Sequence, residues 1–131
     1  MPEHVIQNEI FRAFGTRSDM RIWRANTGVG FYADHRTRTA RLVRFGVPGQ
    51  ADVTGILPVG LKFICPHCDT LLLAPPVGRR LEIEVKSPTG RQTAEQRAYQ
   101  AMIERFGGLY VLARSVDDVQ AAIDLALEGL Q

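Results

Sequence analysis

The sequence predicts a single α/β domain spanning residues 1–131, a mixed β-sheet flanked by helices with a β-hairpin inserted at about residues 58–80. Three observations carry that prediction. Periodic segments run in the order helix, several strands, helix, strand, helix, the order of a layered α/β domain. The segment Arg80-Leu-Glu-Ile-Glu-Val-Lys86 alternates strictly between apolar and charged residues, as a strand with two unlike faces does. The length is that of one domain, and with 45% hydrophobic and 23% charged residues the chain can bury one core without disulfides.

Val5, Ile6, Ile10, Phe11 and Phe14 fall close to helical spacing, which places a helix over residues 3–14, stopped by Gly15. Met20 to Arg24 alternates as a strand, and Asn26 to Gly30 reads as a turn or loop. Arg41 to Phe45 is a second short strand, ended by Gly46, Pro48 and Gly49, and Ala51 to Leu57 is a third. Leu61 to Ile64 and Leu71 to Leu73 form a hairpin around Cys65-Pro-His-Cys68. The alternating strand ends in a turn over Ser87 to Arg91. Thr93 with Gln96 three residues on is a capping box for a helix reaching about Phe106, where Gly107 and Gly108 end it. Leu109 to Ala113 is an apolar strand. Ser115 caps a last helix with Val116, Val119, Ile123 and Leu127 on one face.

The net charge of +2 says little about partners, but its distribution says more. Seven arginines lie between Arg17 and Arg44 against two acids, Asp19 and Asp34. Two readings of that distribution stay open: a basic face for phosphates, with Arg36, Arg38, Arg41 and Arg44 as the candidates, or solvated strand and loop surface. No apolar run approaches the roughly eighteen residues of a membrane span. The N-terminal segment lacks the pattern of a signal peptide, so the expected compartment is the cytoplasm and no membrane is expected as a partner.

On a strand, Glu82, Glu84 and Lys86 share one face while Ile83 and Val85 turn to the core. Asp52 stands early in another strand. Two carboxylates on neighbouring strands can hold a hard divalent cation, Mg²⁺ or Mn²⁺, and a lysine beside them can stabilise charge building on a phosphate. Glu82 is expected to be a strand-edge or flanking acid, Trp23 and Tyr99 to pack, and His4, His35 and His67 to lie at the surface. Cys65-Pro-His-Cys68 has the spacing of a zinc knuckle, yet the chain has 2 cysteines and structural zinc takes four ligands. Three readings stay open: free thiols on a hairpin tip, half of a four-cysteine zinc site shared by two protomers, or a site completed by His4 or His35.

Asp52 followed by Glu84-Val-Lys86 resembles the motif of the PD-(D/E)XK nuclease superfamily, with Ala51 where that motif has proline. The stretch from Glu84 through Pro88, Gly90 and Thr93 to Gln96 resembles the VRR-NUC branch, in which a Gly turn and a Ser/Thr-x-x-Gln helix start follow the Glu-x-Lys strand. Gly107 to Ser115 and Asp117-Asp118-Val119 are similar to the branch's next strand and helix. The resemblance covers most of residues 3–128, apart from the cysteine-bearing insert. It implies a restriction-endonuclease-like core and a metal-dependent DNA endonuclease. Asp52 and Glu84 would be metal ligands, with the Val85 backbone carbonyl as a third. Lys86 would polarise water or the scissile phosphate, and Gln96 would position Lys86 or phosphate. Glu9 would be the first-helix acid, binding metal through water. The stand-alone phage or bacterial form it resembles implies a homodimer acting on branched DNA such as four-way (Holliday) junctions. Two readings compete. One is a nuclease fold that binds DNA without turnover, against which intact Asp52, Glu84 and Lys86 argue. The other is an RNA-binding zinc-ribbon-like protein, which the short cysteine inventory disfavours.

Overall fold

Glu3 opens the first helix, α1 (Glu3–Phe14), where its negative charge meets the helix dipole. Ile6, Ile10 and Phe14, four residues apart, are its buried stripe. The computed structural model describes residues 1–25, 28–60 and 62–128. After α1 come β1 (Arg21–Arg24), β2 (Gly28–Asp34), β3 (Thr39–Phe45), β4 (Val53–Val59), β5 (Lys62–Ile64), β6 (Leu71–Leu73), β7 (Val77–Val85), α2 (Ala94–Arg105), β8 (Leu109–Ala113) and α3 (Val116–Glu128).

Four strands form one mixed sheet in the order β1-β4-β7-β8. The β1–β4 and β4–β7 pairs are antiparallel, and β7–β8 is parallel, with α2 as the crossover that a parallel pair requires. The expected α/β class and mixed sheet are therefore observed. Leu81, Ile83 and Val85 of β7 join Val53, Val111 and Ala113 beneath α1 and α3, where Phe14, Ile10 and Ile123 fill the main core. A smaller cluster of Ala51, Tyr99, Ile103 and Tyr110 lies on the α2 side. With both faces covered, β7 is buried from Leu81 to Val85. No helix among the described residues is long and apolar enough to cross a membrane.

Several expectations change. Asn26 and Thr27 lie outside the described residues, but Gly28 to Gly30 open β2, which pairs with β3 from Gly28↔Phe45 to Asp34↔Thr39. The glycines had masked a strand whose side-chain signal begins only at Val29, Phe31 and Tyr32. The third expected strand starts at Val53 rather than Ala51 and runs on to Val59. The hairpin around the cysteines forms as β5–β6, with Leu61 outside the described residues. Trp23 does not pack: it is 41% exposed on β1, the edge strand of the sheet. On α3, Ala126 takes the buried place expected of Leu127, because the inward stripe Val119, Ile123, Ala126 keeps i, i+4, i+7 spacing.

Candidate active site

Register brings the carboxylates together. Val53 pairs with Ile83 and Thr54 with Glu82, so Asp52, just before β4, stands beside Glu84 at the C-terminal end of β7 on the face turned toward α2. An Oδ2 atom of Asp52 accepts the Val85 backbone N–H at 2.9 Å, which locks the side chain against the neighbouring strand. In an extended strand the N–H and C=O of one residue point to the same edge. The Val85 carbonyl therefore points to the same edge as its N–H. Lys86 continues the parallel ladder through its N–H to the Ala113 carbonyl at 2.9 Å, and its ammonium lies 3.3 Å from Oε1 of Glu84.

Helix α2 delivers the next group. Thr93 Oγ1 accepts the Gln96 N–H at 3.1 Å, and Gln96 Oε1 accepts the Thr93 N–H at 2.9 Å, which completes the expected capping box. The other end of the same amide, Nε2, donates to Glu84 Oε1 at 2.7 Å. Gln96 thus holds a helix end and a site carboxylate at once, rather than Lys86 directly. Gly49 makes this approach possible. Its φ of 76° is in the left-handed region, and a Cβ there would lie 2.3 Å from the Glu95 carbonyl oxygen and 2.8 Å from the Gln96 nitrogen.

The charges at this spot are held against their solvation preference. Glu84 is 2% exposed. Burial first, and the neighbouring Asp52 carboxylate second, push its carboxyl up to about 7, while Lys86 pulls the other way. Burial also raises Asp52, opposed by the Val85 N–H and by Lys86. Both donors to Glu84 use Oε1, and its Oε2 is buried with no hydrogen-bond partner. An orphaned buried oxygen beside a second carboxylate is the donor chemistry that a hard divalent cation satisfies. Asp52 and Glu84 are a pair of such donors, and no group of three or more His, Cys, Asp or Glu suited to a metal occurs among the described residues.

The α1 acid whose charge reaches the pair is Glu3, which raises both Asp52 and Glu84. Glu3 Oε1 accepts the Ser87 N–H at 3.3 Å in the turn after β7. The same turn is tied down by Arg114, whose Nη1 donates to the carbonyls of Ser87 and Gly90. Glu9 is half-buried on the same helix, about 9 Å further along its axis by helical rise. Sequence reasoning missed Glu3 because an acid in a first helical turn already has a sufficient reason to be there. Arg114, six residues past the glycine pair, reads in the sequence only as part of the strand stretch Gly107 to Ser115, with no site role.

Glu82 is not a flanking surface acid. It is fully buried at the centre of the sheet, where Thr54 Oγ1 donates to its Oε1 at 3.0 Å and Arg80 Nε at 2.7 Å. Tyr99 packs as expected and is held protonated to higher pH by burial and by Glu82. His4, His35 and His67 are exposed.

Asp52 opens onto a groove of about 510 Å³ floored by Gly49 and Gln50 and walled by Thr93, Gln96 and Arg44. Above it the β2–β3 ribbon carries Arg36, Arg38, Arg41 and Arg44, all exposed, with Phe31 at 79% and Tyr32 at 64% exposure. The Arg41 guanidinium lies 5.9 Å from the centre of the Tyr32 ring. A larger apolar cleft of about 960 Å³ lies at the far end of β7, and neither Asp52 nor Glu84 lines it. At the hairpin tip the Thr70 hydroxyl and backbone hold the Cys68 thiol below its ordinary value. No protein-family profile matches the chain, no curated protein matches its sequence, and no solved structure matches its fold.

Proposed function

We propose that this chain is a metal-dependent DNA endonuclease that hydrolyses phosphodiester bonds, as its resemblance to the VRR-NUC branch implies, and that it selects branched DNA such as four-way junctions. The observation that carries the reading is that Asp52, which lines a groove together with Arg44 and Gln96, stands beside the buried Glu84, itself paired with Lys86. Asp52, Glu84 and the Val85 carbonyl would hold Mg²⁺ or Mn²⁺, which when bound supplies positive charge to the scissile phosphate and acidifies water.

The protein's own groups do the rest. Gln96 and Lys86 both hold Glu84 through Oε1, and its Oε2 is buried without a hydrogen-bond partner. The Val85 N–H fixes one oxygen of Asp52 in the same way. Lys86 offsets the negative charge that grows on the phosphate as water attacks and the P–O bond to the leaving oxygen breaks. The exposed arginines of the ribbon would neutralise backbone phosphates, and Phe31 and Tyr32 offer ring faces on which unpaired bases stack at a branch.

The test is cleavage of labelled linear, flap, splayed and four-way DNA by the purified chain with Mg²⁺ or Mn²⁺. The expected result is cutting that a chelator abolishes and that is strongest on a branched substrate. Binding without cutting on all four would support the inactive DNA-binding module instead. In a companion measurement, Arg38→Ala and Arg41→Ala together should weaken DNA binding and lower the slope of log affinity against log salt by about one to two. Unchanged affinity and slope would move the basic face off this ribbon.

A further inference from the structure

The insert between β4 and β7 serves neither the carboxylate site nor the core, yet its tip is built to a strict geometry. The Cys65 N–H donates to the Thr70 carbonyl and the Asp69 N–H to the Cys65 carbonyl, both at 2.9 Å. Asp69, directly after the second cysteine, sits at φ 55° in the left-handed region. A tight turn results, with the Cys65 side chain a close neighbour of the Cys68 thiol and the Cys68 Sγ 3.1 Å from Thr70 Oγ1. Two cysteines three positions apart on such a turn are half of a tetrahedral thiolate site.

The described residues of this chain do not supply the other half. The sequence has 2 cysteines, and no third His, Cys, Asp or Glu joins them in a group suited to a metal among the described residues. The readings that complete the site with His4 or His35 therefore lose their support. The stem of the hairpin points the same way. Phe63, Ile64, Leu71, Leu72 and Leu73 are 49–71% exposed on a two-stranded ribbon, a unit too small to be stable in water without cover. A surface that lacks two thiolates and offers two is self-complementary, the condition for an isologous two-fold contact.

We propose that the β5–β6 hairpins of two copies of this chain pack across a two-fold axis, and that Cys65 and Cys68 of both copies together hold one structural Zn²⁺. Binding is a ligand exchange: the four thiols lose their protons to solvent and the ion gains four sulfur ligands, with no change of oxidation state. The zinc holds the dimer and takes no part in cutting DNA, so this inference stands whether or not the chain is a nuclease.

Native mass measurement with metal analysis on the reduced full-length chain tests it. The expected species is a dimer carrying one zinc. Replacing Cys65→Ser and Cys68→Ser together should remove the zinc and raise the dimer dissociation constant about tenfold or more. A strong chelator added to the unaltered chain should do the same, which guards against a variant that folds poorly. Cobalt in place of zinc should give the absorption of a tetrahedral all-thiolate centre, and Glu84→Gln should leave that spectrum unchanged, separating this site from the carboxylates. One zinc per monomer, a dimer without zinc, a monomer without zinc, or zinc kept by the double-serine variant would each overturn the proposal.

Discussion

Replacing Asp52→Ala, Glu84→Ala or Lys86→Ala one at a time should each cut the cleavage rate by at least about 10²–10³-fold while leaving DNA affinity within a few-fold of the unaltered chain. The reasoning is geometric. The Asp52 carboxylate is pinned by the Val85 N–H, and Glu84 is pinned by Lys86 and Gln96, so each loss leaves a specific gap that neighbours cannot fill. The arginines proposed to meet phosphate sit on another element, the β2–β3 ribbon, and should be unaffected. Gel-based cleavage under single-turnover conditions, with binding measured in parallel, reads both quantities. Near-normal turnover in any two of the three variants would remove the active-site assignment.

The second large effect concerns stability and has an unusual sign. The Glu84 carboxyl titrates at about 7 in the fold and near 4.5 in an unfolded chain. Between those values the folded protein keeps a proton that the unfolded chain has released. This group therefore makes the metal-free protein less stable as pH rises from about 4.5 to about 7, by up to about 3 kcal/mol. Burial raises Asp52 as well, which acts in the same direction. Glu84→Gln keeps the acceptor for Gln96 and removes the charge. It should raise the thermal midpoint near pH 8 in chelator by several degrees, flatten the slope between about pH 5 and about pH 8, and abolish cleavage. Added Mg²⁺ should raise the midpoint of the unaltered chain and not that of the variant. A variant whose midpoint follows that of the unaltered chain at every pH would show that Glu84 carries no such penalty. A gain of stability bought with the loss of function is the mark of a group kept for chemistry.

Where sequence reading succeeded and where it did not follows from how local each signal is. The helices of α1, α2 and α3 announced themselves because periodicity and caps lie within a few neighbouring residues, as with Thr93 and Gln96. β7 did so through its strict alternation. β2 stayed hidden, and with it the ribbon that it forms with β3, because Gly28 and Gly30 carry no side chain to alternate. In the site, Asp52, Glu84 and Lys86 were legible from residue type and spacing and Gln96 from the family resemblance, and the structure brings all four together. Glu3 and Arg114 were not, since both reach the turn after β7 from elements far away in the chain. The burial of Glu82 was equally invisible. An alternating strand reports two faces, but not that a helix will cover the polar one.

Val59 stands directly opposite Val77, the outermost rung of the β4–β7 ladder. Residues 60–76 therefore leave the sheet and return to it across one strand spacing. Their length is decoupled from the register that sets Asp52 beside Glu84. Closing such a loop costs entropy only as the logarithm of its length, about 0.6 kcal/mol for each doubling. The segment is a place where the chain can be lengthened, shortened or exchanged for another small module while the carboxylates at the opposite end of the same two strands stay where they are.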